Sequence, residues 1–324
     1  MTGTGTGAVE TAARSPFDRL RCGDRTMVAR ALSALEAGGA EADALRRRLH
    51  SLVGSARVVG FAGPPGVGKS TLVDAYVARL RSAGRTVAVL AVDPSSPVSG
   101  GAILGDRIRM GRHTGDPGVF VRSVAARGHL GGLSLAVPSM LDVLDAAGFD
   151  DVVLEAVGAG QSEVEISRFT DTTVVLIAPG LGDEVQASKA GLLEVADVLV
   201  VNRADQPLAA ETARRLESVL ELRSTGRPTP SVLLTTAIDD GGVAALADAI
   251  DATHLAAGVA SDGPRRRATE SLRQTAIAEL ARRVVDDEAL ARLGGQLHRG
   301  ERTLGDAVDE VIERASRPRG GARR

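Results

Sequence analysis

The chain has 324 residues, 44% apolar and 25% charged, enough to bury a substantial core in two or three domains, or in one large α/β domain with helical additions. Its 39 basic and 41 acidic residues leave a net charge of −2, and aromatics are 2%, which argues against bulk binding to nucleic acid or anionic membrane and against base-stacking platforms. A single cysteine, Cys22, excludes an intramolecular disulfide and a thiolate metal framework and fits a reducing, cytoplasmic setting.

The start, MTGTGTGAVETAARSP, has neither the basic nor the apolar region of a signal peptide, and residues 1–16 read as a tail. No apolar run reaches the roughly 18 residues that a membrane span needs. Residues 17–55 have helical spacing through Thr26–Leu35 and Ala42–Val53, with Gly38-Gly39 between, and form an N-terminal helical extension. RVVGFAG (57–63) is then a buried strand, Lys69–Ser82 a helix and TVAVLAVD (86–93) a second strand, which together make a βαβ unit. Further strands are expected at 119–124, 151–158, 172–180, 196–205 and 231–237. Helices are expected at Leu133–Ala147, interrupted near Pro138, at Leu208–Leu222 and at Val243–His254. This alternation predicts an open, mostly parallel α/β sheet over residues 56–260. After SDGPRRR (261–267) the strands stop. Residues 261–318 read as a C-terminal helical arm of about three helices, and 319–324 as a second tail.

Gly63-Pro64-Pro65-Gly66-Val67-Gly68-Lys69-Ser70, followed by Thr71, fits G-x-x-x-x-G-K-[ST] between a predicted strand and a helix. Glycines let backbone N–H groups turn towards phosphate oxygens, and the helix N-terminus adds a favourable dipole. Lys69 should reach the β- and γ-phosphates of a nucleotide, and the Ser70 hydroxyl should ligate Mg²⁺. Only two lysines occur, Lys69 and Lys189, every other basic residue being arginine. Lys is a compact point charge and Arg a planar fork, so a surviving lysine hints at chemistry that Arg does not supply.

Asn202-Arg203-Ala204-Asp205 resembles the guanine-reading N-K-x-D, with Arg203 in place of Lys. The Asp205 carboxylate can accept from guanine N1–H and the 2-amino group together, a pair that adenine does not offer. Thr236-Ala237 follows the next strand and looks like the S-A loop whose backbone N–H contacts guanine O6. Glu155-Ala156-Val157-Gly158 occupies the D-x-x-G position, with Glu155 as a metal carboxylate and the Gly158 N–H as a γ-phosphate sensor. Gln161 and Glu163 follow in a switch-like segment. Asp93 and Asp106 are further carboxylates within reach of the metal. Arg107, Arg109 and Arg127 are candidates for an arginine finger, and the five histidines have no ligand spacing.

GPPGVGKS, AVLAVDPSSP, GGAILGDRIRM, RGHLGG, EAVGAGQSE, PGLGDEVQ and VNRAD follow the order and spacing of the MeaB/ArgK GTPases, called MMAA in animals. The chain resembles this family over roughly residues 50–255. The resemblance implies a P-loop fold of the SIMIBI class and a homodimer held partly by the C-terminal helices. It also implies slow GTP hydrolysis coupled to guarding an adenosylcobalamin-dependent acyl-CoA mutase and gating its cofactor loading. GTP or GDP would lie on residues 63–71, Mg²⁺ on Ser70, Asp93, Asp106 and Glu155, and guanine on Asp205 with Thr236–Ile238. Lys189 matches a family lysine near the nucleotide or switch. Ala156, Ala159, Arg203 and Thr236 stand where the family usually has Thr, Val, Lys and Ser, which implies a divergent paralogue. The alternatives are a transport-linked ArgK-type kinase and a nucleotide-sensing adaptor without turnover.

Overall fold

The computed structural model describes residues 15–49, 52–93, 111–113, 115–125, 135–156, 161–180, 191–221, 228–256, 258, 262–285 and 289–316. The chain forms two compact units, Met1–Ala268 and Thr269–Arg324. The first opens with three helices, α1 (Pro16–Arg21), α2 (Arg25–Ala37) and α3 (Gly39–Leu49). Then come β1 (Arg57–Ala62), α4 (Lys69–Ser82), β2 (Val87–Asp93), β3 (Val119–Ala125), α5 (Val137–Ala146), β4 (Asp151–Ala156) and the short α6 (Gln161–Glu165). The unit continues through β5 (Thr172–Ile177), β6 (Val198–Asn202), α7 (Ala209–Glu221), β7 (Ser231–Thr235), α8 (Val243–Ala256) and the start of α9 (Gly263–Val285).

The seven strands form one sheet in the order β3-β2-β4-β1-β5-β6-β7, with every pairing parallel. A parallel sheet is covered on both faces, so its strands read as continuous apolar runs rather than alternating ones. Side chains still alternate by face. In β1, Val58 and Ala62 join the core with Leu32 of α2 and Met140 of α5, while Val59 and Phe61 join the opposite core with Leu72 and Tyr76 of α4 and Ile250 of α8.

One boundary differs from the sequence expectation. Pro138 does not interrupt a helix but sits in the first turn of α5, where its missing N–H costs no helical hydrogen bond. The arginine run at 265–267 lies in the first turns of α9, at the start of the expected helical arm.

Buried ion pairs hold the ends of these elements. Asp145, at the C-terminal end of α5, accepts from the backbone N–H groups of Gly54, Ser55 and Ala56 at 2.7, 3.1 and 3.0 Å. It also faces the buried Arg267 of α9 at 3.3 Å, and Arg267 Nε donates to Asp142 at 2.9 Å. At the N-terminal edge of the sheet, Arg57 donates to Asp151 at 2.8 Å, to Asp251 of α8 and to the Tyr76 hydroxyl at 3.1 Å, and Arg85 pairs with Asp151 at 2.8 Å.

The second unit comprises the rest of α9 with α10 (Ala289–His298) and α11 (Leu304–Ser316). Its buried cluster is small: Ala289, Leu293, Ala307 and Val311. Leu304, Val308 and Ile312, at i, i+4 and i+8 on α11, stay exposed.

Candidate functional site

The C-terminal end of β1 runs into Gly63–Gly68 and directly into α4. Two of these glycines are required by close approach. Gly63 has φ +143°, and a Cβ there would lie 2.4 Å from the Leu176 carbonyl oxygen of β5. Gly68 caps α4 in the left-handed region (φ +96°), and its Cβ would lie 2.4 Å from the Asn202 amide nitrogen. Pro65 and Gly66 form the turn, and Val67 is buried beneath it.

Lys69 and Ser70 begin α4 and are both about 6% exposed. The Lys69 ammonium donates to the Gly63 carbonyl and, at 3.1 Å, to the Pro64 carbonyl. Ser70 Oγ donates to Glu155 Oε1 at 2.7 Å, bringing the hydroxyl at the start of α4 onto the carboxylate near the end of β4. Asp93 is buried at the end of β2, whose register pairs Ala91 with Glu155 and Val92 with Ala156. A serine hydroxyl and two buried carboxyls are hard oxygen donors, the set that Mg²⁺ takes together with phosphate and water oxygens. Among the described residues no three His, Cys, Asp or Glu stand close enough to hold a metal by themselves.

Asn202 ties the phosphate loop to the far side of the sheet. Its amide nitrogen donates to the Val67 carbonyl at 2.8 Å. Its amide oxygen accepts from Thr235 Oγ1 at 3.0 Å and from the Ala237 N–H at 3.3 Å. Arg203 adopts φ +60° and reaches back to donate to the Gly66 carbonyl. Asp205 follows on the exposed turn, and the Ala204 N–H bonds the Thr235 carbonyl at 2.9 Å, which ties the two loops together. Thr236 closes a bridge with Gly241. Ala237 is buried and Ile238 is 83% exposed.

The loop residues 63–71, Asn202, Arg203 and the 236–238 loop therefore lie on one edge of the sheet, and Ser70 meets Glu155. Asp106, Gly158, Lys189, Arg107, Arg109, Arg127 and Ala159 lie outside the described residues. Gln161 starts α6, and its side chain also lies outside them.

Glu163 carries a feature that the sequence did not single out. On α6 it is 3% exposed, and among the described residues its Oε1 has no hydrogen-bond partner. Burial pushes its carboxyl up to about 7, against the pull of the Lys69 ammonium. A five-residue helix has no period from which to read its buried side, so only the fold reveals it.

Comparison with known proteins gives a consistent result. The family model described as "Methylmalonyl Co-A mutase-associated GTPase MeaB" matches residues 28–291. A protein of Pyrococcus horikoshii that also carries a GTPase name is 50% identical over 206 residues, 64% of this chain. The chain spans 65% of that relative's length. A probable GTPase of Mycobacterium bovis is 36% identical over 316 residues, 92% of this chain and 93% of the relative. The crystal structure of an LAO/AO transport system kinase superposes with a TM-score of 0.72 at 25% identity, covering 96% of this chain and 99% of that one.

Proposed function

The chain belongs to the MeaB family of methylmalonyl Co-A mutase-associated GTPases, and on that footing we propose that it binds GTP and Mg²⁺ at the phosphate loop and hydrolyses GTP slowly. In this reading it is the chaperone of an adenosylcobalamin-dependent acyl-CoA mutase, gating cofactor loading and protecting the enzyme. It acts as a cytoplasmic homodimer. The observation that carries the reading is the Asn202 bridge, which couples a phosphate loop to the loops carrying Asp205 and Ala237. That coupling suits a ligand with phosphates at one end and a base at the other.

The chain's own groups divide the work. Backbone N–H groups of residues 63–71 and the α4 N-terminus receive the phosphates. Lys69 leaves the Gly63 and Pro64 carbonyls for the β- and γ-phosphate oxygens. Ser70, Glu155, Asp93 and Asp106 would hold Mg²⁺, which supplies charge neutralisation as the terminal phosphate leaves. By the family resemblance, the Gly158 N–H would sense that phosphate and Gln161 and Lys189 would act from the switch segments. Asp205 reads the guanine edge, Arg203 covers the loop in place of Lys, and the Ala237 region approaches the base.

Lys69→Ala tests the reaction. The loss of the ammonium should lower GTP turnover by at least about a hundredfold, measured as phosphate release. Full turnover in that variant would overturn the assignment. The likeness to the LAO/AO transport system kinase favours one second reading, phosphoryl transfer to an acceptor in transport. Labelled γ-phosphate appearing on a protein rather than as free phosphate would support it.

A further inference from the structure

We propose that Glu163 faces the terminal phosphates as a neutral carboxylic acid, so that nucleotide binding takes up a proton at this residue. The inference rests on the nucleotide reading above and concerns the same site. Its first support is geometric: a glutamate 3% exposed, with one carboxyl oxygen lacking a hydrogen-bond partner among the described residues. Such a group is costly to keep unless something arrives to meet it.

The second support is its neighbour. Lys69 of α4 is the charged group that acts on the Glu163 carboxyl. Along its own chain the nearest charged residues are Glu165 and Arg168. Lys69 is itself nearly buried and bonds the loop's own carbonyls.

Phosphate entry changes this balance. The Lys69 charge becomes matched by phosphate, and an ionised Glu163 would then face added negative charge that Lys69 no longer offsets. Like charges sharing a low-dielectric site raise the pKa of the weaker acid. Phosphate oxygens and the attacking water's lone pairs are acceptors, and a carboxylate offers them no donor. A protonated Glu163 does: its O–H can donate to a phosphate oxygen or to that water, and the proton comes from solvent. Burial has already brought the carboxyl to about 7, so little further shift is needed.

The test is calorimetric binding of a non-hydrolysable GTP analogue with Mg²⁺ to the full-length protein. Titrations at about pH 7 in buffers of different ionisation enthalpy count the protons. A Kd series from about pH 6 to about pH 8.5 follows, on wild type and Glu163→Gln. Wild type should take up about half a proton at about pH 7, and its affinity should fall towards about tenfold per pH unit above that. E163Q, neutral and still a donor, should take up no proton from this site and have a flat affinity profile. Equal proton counts in the two proteins, or none in wild type, would overturn the proposal while leaving nucleotide binding intact. No binding by wild type at any pH would overturn the nucleotide reading, and this proposal with it. Should E163Q not fold, Glu163→Ala serves as the second neutral variant, with the same loss of proton uptake expected.

Discussion

Glu163 is an acid whose folded-state carboxyl titrates near 7 against an ordinary value of 4.5. The raised value means that the folded chain holds this proton more tightly than the unfolded chain does. Stability is therefore lost as pH rises from about 4.5 to about 7, and the penalty is constant above that. At about pH 8 the penalty is on the order of 3 kcal/mol. Glu163→Gln should raise the urea midpoint at about pH 8 and leave it nearly unchanged at about pH 4.5. A variant no more stable than wild type at the higher pH would show that the ionised carboxyl carries no such cost. Arg203 is legible at the same scale only in part. Its position in VNRAD is plain from sequence, but its left-handed backbone and its bond to the Gly66 carbonyl depend on the neighbouring loop.

At the scale of elements, α5 ties the entry of β1 to the start of α9. Its Asp145 terminates three orphan N–H groups at the entry to β1 and neutralises Arg267 at the start of α9. Asp145→Ala removes all of these interactions and leaves a guanidinium 1% exposed with, among the described residues, Asp142 as its remaining ion-pair partner. Truncating one side of a buried pair costs about 3–5 kcal/mol. The expected result is a loss of that size in denaturant titration, and a loss below about 1 kcal/mol would show that the site relaxes around water. Neither partner was legible in sequence. The three arginines after Gly-Pro fall at the start of the expected helical arm, but only tertiary contact with residues more than a hundred positions earlier shows that Arg267 is buried. The strands and the phosphate loop were legible because local chemistry dictates them: apolar runs for a doubly covered sheet, and glycines where a Cβ would strike Leu176 or Asn202.

Across the whole molecule, the second unit buries too little to explain its own apolar surface. Ala307, Val311 and Ala315 face inwards on α11, while Leu304, Val308 and Ile312 form a separate exposed stripe. The proposed homodimer would cover such a stripe. Val308→Glu with Ile312→Glu should convert a dimer to a monomer in sedimentation equilibrium while leaving nucleotide affinity unchanged. A wild-type monomer, or a double variant that stays dimeric, would contradict that role for α11.

In the proposed function, the loops bridged by Asn202 read a guanine nucleotide. Calorimetric binding of GDP and ADP with Mg²⁺, on wild type and Asp205→Ala, tests it most directly. Wild type should prefer GDP by at least about tenfold, or about 1.4 kcal/mol, and the preference should disappear in the variant while phosphate-dependent binding remains. Equal binding of GDP and ADP by wild type would contradict it.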